Sequence, residues 1–309
     1  MRFAGFFALT LLLAAIVAIV IAGLIRSKPV TAPGAVTASA VAANDRPEPE
    51  QERLLVLAGH ASTFSLTSAL AAGTAIDVAW AWPEGAVWAD QAELPVSARA
   101  AQAIAVVTLR EAAPEDALYA AARGTKIAMV EIDASAADDS STLALRIPEK
   151  AASELAPAAP LSLANATRMA EKIARDCARL SPPDAARIEA NLKAVKARIF
   201  RLRAEAEAGL ATCASLDVAV ASPVFLALAE DLGLFVRPAE AGAGGNGVAA
   251  VLVASGAADA AAQEAWRKAG VAVIGLDPLN RAPADAESWF RAMESNLAAL
   301  VSGLGGRWR

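Results

Sequence analysis

The stretch 181–212, SPPDAARIEANLKAVKARIFRLRAEAEAGLAT, constrains the fold more than any other part of the chain. Ser181, Pro182 and Asp184 form a helix-start signal. At 1.5 Å per residue such a helix is about 45 Å long, which is enough to cross two lobes. A coiled-coil arm is the alternative, but strand-like runs flank the stretch and its heptads stop. Apolar residues recur at steps of three and four, as on an amphipathic helix: Ile188, Leu192, Val195, Ile199, Leu202, Ala206 and Leu210.

Short apolar runs alternate with helical patterns on both sides of this stretch. Before it, strands are predicted at 54–58, 76–82, 103–107 and 126–132, and helices at 62–72, 97–102, 114–122 and 164–180. After it, strands are predicted at 217–221, 248–254 and 271–276, and helices at 223–232, 258–269 and 284–300. This alternation is typical of parallel sheets with helices on both faces. We therefore predict an α/β fold of two parallel-sheet lobes joined by one long helix, with a cleft at the carboxyl ends of the strands.

The N-terminal region carries an uncharged apolar run at 3–25, about the length that spans a bilayer. A cleavable signal peptide is the alternative, with Ala38-Ser39-Ala40 as its cleavage site, but its apolar core would be shorter. We predict an uncleaved anchor at 1–26, a disordered linker at 27–52 that is rich in Ala, Pro and charge, an N-terminal lobe at 53–180, the long helix at 181–212 and a C-terminal lobe at 213–309. No cysteine follows the run, which excludes a lipoprotein.

Charge and cysteine content exclude several classes of protein. The chain has 28 Lys and Arg against 33 Asp and Glu, so it lacks the basic character that nucleic-acid binding requires. Cys177 and Cys213 flank the predicted long helix and would lie about 40–50 Å apart along it, whereas a disulfide needs Cα atoms within about 7 Å. Two free thiols are therefore expected, and no C-x-x-C motif indicates a zinc or redox site.

Five segments in the second half of the chain carry a resemblance to a known family. They are LANATRMAEKIARD (163–176), DAARIEANLKAVKARIFRLRAEAEAGLA (184–211), DVAVASPVFLALAEDLGL (217–234), AGVAVIGLDPL (269–279) and SWFRAMESNLAALVSGL (288–304). From 164 to 300 the chain resembles the solute-binding proteins of zinc and manganese ABC transporters. The resemblance implies a periplasmic or surface-tethered protein that binds a metal between two lobes and delivers it to a permease.

The metal ligands of that family do not carry over to this sequence. The first two histidine positions fall at Ala89 and Ala158, the third at Ser222, and the final carboxylate at Ala254. The chain has a single histidine, His60, so a shift of the alignment cannot restore the missing imidazoles. Zinc and manganese sites need histidines and carboxylates. We expect a degenerate site, with zinc or manganese implied by the resemblance alone and no other cofactor.

Other residues are candidates to line the cleft: His60, Trp82, Trp88, Asp90, Ser222 and Ser255. His60 is either a cleft residue or a solvated or capping histidine, and a single imidazole is a weak metal site. Asp90 and Glu93 are exposed loop acids or oxygen donors. Trp80 joins Trp82 and Trp88, either in an aromatic wall for an organic solute or partner, or in ordinary packing.

Two motif matches do not indicate a function. Residues 242–247 match G-x-G-x-x-G, but a strand follows them where the dinucleotide fingerprint needs a helix. Residues 59–62 lack the spacing of a nucleophile elbow, so no enzyme activity is expected. We predict a monomeric, membrane-anchored, extracytoplasmic solute-binding protein that works with an ABC-transporter permease. The alternatives are a scaffold that docks on a permease or envelope complex, and a receptor for a non-metal solute.

Overall fold

The computed structural model describes residues 53–137, 145–148, 156–238, 247–256 and 260–308. Residues Glu50–Arg309 form one compact unit. The predicted anchor at 1–26 and linker at 27–52 lie outside the described residues. Within the described ranges, no helix is both long enough and apolar enough to cross a membrane.

The first sheet has four parallel strands in the order β2-β1-β3-β4. Val56, Leu57 and Ala58 of the inner strand β1 are fully buried because helices cover both faces. The strands are β1 (Leu54–Ala58), β2 (Ile76–Trp80), β3 (Ala105–Thr108) and β4 (Val130–Asp133), and the helices are α1 (Ala61–Ala71), α2 (Leu118–Thr125) and α3 (Leu163–Leu180).

The second sheet repeats this arrangement, with four parallel strands in the order β6-β5-β7-β8. Strand β6 was not predicted, because it has only three residues and its apolar Phe235 and Val236 are exposed rather than part of a buried strand. The strands are β5 (Asp217–Val220), β6 (Phe235–Arg237), β7 (Ala250–Ala254) and β8 (Ala272–Leu276), and the helices are α5 (Leu226–Asp231), α6 (Ala260–Lys268) and α7 (Ser288–Gly303). The prediction of two parallel-sheet α/β lobes is confirmed.

The long helix α4 (Ala185–Leu210) follows a 3₁₀ turn at Pro182–Asp184. Its 26 residues span about 39 Å, and the predicted stripe is buried except at Leu192, which is half-buried. Ser181 is the N-cap residue of this turn, as its place in the sequence predicts, but its side chain caps no backbone N–H. Its hydroxyl instead donates to Asp184 Oδ2 (2.7 Å), and the same oxygen accepts the Ala75 N–H (2.9 Å), which ties the start of the helix to β2.

Side chains on α4 bind both lobes. Asn191 Nδ2 donates to the carbonyls of Leu70 (2.8 Å) and Ala72 (2.9 Å), at the C-terminus of α1 in the first lobe. Arg198 stacks over the ring of Phe290 in α7 of the second lobe, 3.9 Å from the ring centroid. Buried residues from both sheets and from α4 form one continuous core cluster. The helix is therefore part of a shared interior.

Trp289, at the start of α7, links the second lobe to the first. Its side chain is fully buried, its backbone N–H donates to Ser65 Oγ of α1 (3.1 Å), and its indole N–H donates to the Pro160 carbonyl (3.1 Å). Both cysteines are free thiols; burial raises the pKa of Cys177 to about 12. A buried thiol of this kind is a packing residue.

Candidate functional site between the lobes

Two loops from opposite lobes pair with each other across the cleft. The loop after β2 reaches the loop after β8, where Val87 and Arg281 form an antiparallel bridge. The Trp88 N–H donates to the Asn280 carbonyl (2.8 Å), and the Ala282 N–H donates to the Ala86 carbonyl (3.2 Å). We name residues 86–88 and 280–282 the interlobe clasp. Because its bonds join backbone atoms, the clasp holds this side of the cleft closed with protein groups alone.

The second-lobe side of the clasp rests on a tightly held turn. Leu279 has φ of 61°, the only positive φ at a non-glycine position among the described residues. A branched residue rarely adopts this conformation unless its surroundings enforce it. Here Asp277 Oδ1 accepts the Leu279 N–H (2.7 Å), and the buried Asn296 bonds both the N–H and the carbonyl of Asp277. These bonds place Leu279 and Asn280 against the first lobe.

His60 is the N-cap of α1. Its Nδ1 accepts the Ser62 N–H (3.2 Å), and Thr63 Oγ1 accepts the His60 N–H (3.2 Å). Nδ1 is thus an acceptor, so we assign the proton of the neutral ring to Nε2. Nε2 is buried without a hydrogen-bond partner of good geometry in the described structure. The Leu279 backbone nevertheless lies close enough to the ring to favour its protonated form.

Burial decides the protonation state of His60. The residue is only 2% exposed, and the edge of its ring meets Trp88 with centroids 5.5 Å apart. Loss of solvation lowers its pKa to about 3, which outweighs the opposing effect of the Leu279 backbone. The ring is therefore neutral at ordinary pH and fills space between its own lobe and the Leu279 turn. His60 thus caps α1 and also lies against the second lobe, and it is buried rather than solvated.

The tryptophans lie in the interior rather than along an open wall. Trp82 and Trp88 are almost fully buried, and Trp80 is half-buried against Phe64. The Trp82 indole N–H donates to the Gly59 carbonyl (3.1 Å), which also accepts from Gln91 Nε2 (2.9 Å). Sequence reasoning missed Gln91, because nothing in an acidic, alanine-rich loop distinguishes a buried glutamine from an exposed one.

The four positions that the family resemblance assigns to metal ligands carry little donor chemistry. Ala89 is exposed in the 3₁₀ turn Trp88–Glu93, whereas Ala158 and Ala254 are buried. The Ser222 hydroxyl accepts the Ala254 N–H (2.9 Å). Three methyl groups and one engaged hydroxyl do not match the nitrogen and carboxylate donors of a zinc or manganese site.

The remaining candidates do not converge on one point. Asp90, Glu93 and Ser255 are exposed. In the part of the chain that the structure describes, no three His, Cys, Asp or Glu residues group closely enough to hold a metal ion. The candidate site is thus a clasped, largely apolar contact between the lobes.

Acidic side chains at the carboxyl edge of the first sheet are already engaged by the backbone. Asp116 is buried, and its carboxylate accepts the N–H groups of Leu109 (2.8 Å) and Leu118 (3.1 Å). Burial raises its pKa to about 6 despite these bonds. Asp133 likewise accepts from the backbone of Glu111 (2.9 Å). These carboxylates stabilise loops.

The family model described as zinc-uptake complex component A, periplasmic (ZnuA), matches residues 90–245, just over half of the chain. The solute-binding protein FpvC from Pseudomonas aeruginosa, solved in complex with Mn²⁺, superposes with a TM-score of 0.66 at 19% identity and covers 82% of this chain and 98% of its own. A crystal structure of ZnuA gives 0.61 at 19% identity, covering 81% and 98%.

The laminin-binding protein Lmb of Streptococcus agalactiae, described as a bifunctional protein with adhesin and metal-transporting activity, also has a TM-score of 0.61, at 17% identity and with coverage of 81% and 99%. At such identities these structures establish the fold. No curated protein matches significantly in sequence. With its family model covering half the sequence, the chain belongs to the ZnuA family of extracytoplasmic solute-binding proteins of metal ABC transporters, which are binding proteins and not enzymes.

Proposed function

We propose that this chain is a membrane-tethered, extracytoplasmic member of the family whose interlobe site does not capture zinc or manganese in the usual way. The family works with ABC-transporter permeases, and we assign such a permease as the partner. The apolar run at 3–25 and the polar linker that follows it support a tether. On this proposal the folded body acts close to the membrane as a monomer.

The interlobe clasp is the observation that carries the proposal. Its backbone bonds, Trp88 to Asn280 and Ala282 to Ala86, join the lobes where a bound ion would otherwise link them. The neutral, buried His60 ring occupies the adjoining space, and the assigned ligand positions offer one hydroxyl, on Ser222. A divalent cation would lose its hydration there without gaining strong ligands.

Isothermal titration of the compact unit Glu50–Arg309 with zinc and with manganese tests this proposal. We expect no saturable heat at micromolar concentrations, whereas ZnuA titrated alongside should show it. Circular dichroism before and after titration checks that the protein is folded. Saturable binding at micromolar affinity or tighter would overturn the degenerate-site proposal.

A second candidate function is that of a scaffold which docks on a permease or envelope complex. The clasp favours it, because a closed cleft leaves the outer surfaces of the lobes to make contacts. The burial of Trp82 and Trp88 weighs against a receptor for a non-metal solute, since it leaves no aromatic wall open to a ligand.

Crosslinking of the full chain in its native membrane, followed by purification and mass spectrometry, tests the scaffold function. We expect a permease or envelope protein linked to lobe surfaces, in equal amount with and without chelator. If no such protein is captured, the scaffold function is wrong. A thermal-shift screen with organic solutes addresses the third function, and a reproducible stabilisation would favour it over the scaffold.

A further inference from the structure

The amino edge of the first sheet carries a group of basic side chains. All four strands are parallel, so the segments just before each strand meet at one edge. Arg187 lies against Gly73, which precedes β2; Arg99 precedes β3; Arg123 and Lys126 precede β4. Neighbouring strands are about 4.8 Å apart, so these residues are distributed along one edge, from Arg187 at the β2 end to Lys126 at the β4 end. We name Arg99, Arg123, Lys126 and Arg187, together with Ile127, the basic edge.

The positive charge of the basic edge is not neutralised locally. None of its four cations forms an ion pair within the described part of the chain, although Arg123 also lies over the Tyr119 ring, 5.8 Å from its centroid. Two acids lie at the same edge. Asp77 pairs with Arg53 (3.3 Å), and Asp184 accepts from the neutral donors Ala75 and Ser181, so among the described residues the four cations outnumber the one acid that has no cationic partner.

The basic edge contrasts with the rest of the molecule. The whole chain carries a net charge of −5, and the opposite, carboxyl edge of the same sheet holds Glu111 and Asp133 beside the Arg110–Glu131 ion pair. The first lobe is therefore polarised, with positive charge at one end and negative charge at the other. An anionic surface would attract the basic edge and repel the carboxyl edge, which fixes an orientation.

Ile127 adds an exposed apolar group next to Lys126, at the β4 end of the basic edge. Its side chain is 84% exposed, more than any other large hydrophobic side chain that the structure describes. Lys126 Nζ donates to the Ala103 carbonyl (2.9 Å), which holds the turn beneath Ile127 in place. Cations around a protruding aliphatic side chain are the features of a protein that rests on a lipid interface.

The point at which the described chain begins favours a membrane as the anionic surface. Arg53, where the described chain begins, lies at the start of β1 on the same edge. This step rests on the proposed tether, because the linker at 27–52 would lead from that edge to the bilayer. We propose that the basic edge docks on anionic lipid headgroups, with Ile127 entering the interface, and that this contact orients the body relative to the membrane.

Co-sedimentation of the unit Glu50–Arg309 with lipid vesicles tests the docking surface without using the predicted anchor. The vesicles contain phosphatidylcholine alone or a mixture with phosphatidylglycerol, at millimolar lipid. We expect binding only to the mixture, and its loss at high salt. Each basic residue near an anionic membrane changes the partition coefficient by about fivefold, so Arg99→Gln with Arg123→Gln should lower binding by about 25-fold.

Matched variants separate the basic edge from overall charge. Arg201→Gln with Lys268→Gln makes the same change of charge on exposed positions away from this edge and should bind almost as the parent does. Ile127→Ser should weaken binding while leaving the folded body intact. Equal binding to both vesicle types, or equal losses in the two double variants, would overturn the proposal.

The acidic segment with Glu48, Glu50 and Glu52 is the competing occupant of the basic edge. If it covers the edge, the chain 27–309 will bind vesicles only after these residues are changed to Gln, and the lipid proposal is then wrong. If the unchanged chain 27–309 binds like Glu50–Arg309, the proposal stands. A failure of the tether would appear separately, as release of the full chain from membranes by salt.

Discussion

The edge of the His60 imidazole meets the Trp88 indole, with ring centroids 5.5 Å apart and ring planes at 79°. The two residues belong to different segments of the first lobe: His60 caps α1, and Trp88 carries one strand of the interlobe clasp. Their contact therefore couples the first turn of a core helix to the surface that pairs with the second lobe. A change in either ring should alter how the lobes meet.

The clasp should hold without any ligand. We predict that Val87→Cys with Arg281→Cys forms a disulfide in the presence of chelator, because residues opposed in an antiparallel bridge have Cα atoms about 4.5–5.5 Å apart, within disulfide reach. Gel mobility without reductant measures it, in a Cys213→Ser background. Val87→Cys with Lys268→Cys serves as a control that should remain reduced. A disulfide that forms only after metal is added would contradict the clasp.

His60 should make the protein sensitive to acid. Its pKa in the folded state is about 3, below the ordinary value of 6.5. Its contribution to the free energy of unfolding is therefore full above about pH 6.5, and it is lost as the pH falls towards 3 because only the unfolded chain gains the proton. His60→Asn keeps a capping side chain but does not titrate. Between about pH 6.5 and 4, its free energy of unfolding should fall by on the order of 3 kcal/mol less than that of the parent. Urea unfolding at several pH values measures the difference.

Asp116 acts in the opposite direction and provides the control for that experiment. Its folded-state pKa is raised from 3.8 to about 6. Its contribution to the free energy of unfolding is therefore full below about pH 3.8 and is lost as the pH rises through 6. In Asp116→Asn this part of the pH dependence should disappear, while the acid sensitivity due to His60 remains. Identical pH profiles for the parent and the His60 variant would show that the imidazole is not buried in its neutral form.

Asp231 should be a major link between the lobes. Its carboxylate pairs with Arg203 on α4, and it accepts from Ser162 Oγ (3.0 Å) and the Ala164 N–H (3.1 Å) at the start of α3. Asp231→Ala should lower the free energy of unfolding by about 2–4 kcal/mol. It removes one of the two carboxylates that pair with the partly buried Arg203 guanidinium, and it removes the acceptor of the Ala164 N–H at the start of α3. Glu264→Gln, on an exposed and loosely paired site, should change it by less than about 0.5 kcal/mol.

Gly59 should not tolerate a side chain. A Cβ at this position would lie 2.9 Å from Leu118 Cδ2 and 3.1 Å from Trp82 Nε1, both in a packed interior. Gly59→Ala should therefore destabilise the protein by about 1–3 kcal/mol, as measured by thermal or urea unfolding. Gly124→Ala is the matched control, because a Cβ there meets nothing within 4 Å. Equal effects of the two changes would argue against the packing around β1.

The sequence predicts regular elements well where the apolar pattern is strong. The boundaries of β1 at 54–58 agree with the structure, and the stripe on α4 is buried as its periodicity indicates. Local signals were less informative: the predicted helix at 97–102 is a 3₁₀ turn, and the three-residue edge strand β6 was not predicted although Phe235 and Val236 are apolar. Short and exposed elements depend on neighbours that a local pattern does not contain.

The arrangement of the candidate site could not be predicted from the sequence. His60 owes its low pKa to burial beside the Leu279 turn, which is more than two hundred residues away along the chain. The sequence showed that His60 is the single histidine, and hence that a multi-histidine site is absent. It did not show that loops from the two lobes pair through their backbones, because every residue except proline carries the same backbone N–H and carbonyl groups.

The burial of Trp289 has a consequence for how the protein unfolds and for its resistance to proteolysis. Its bonds to Ser65 and Pro160 place the first turn of α7 inside the opposite half of the molecule. Neither half can then loosen without exposing the interior of the other, so denaturation should proceed in one cooperative transition. A protease would then encounter either the folded protein or the unfolded chain, because no partly folded species would persist long enough to be cleaved.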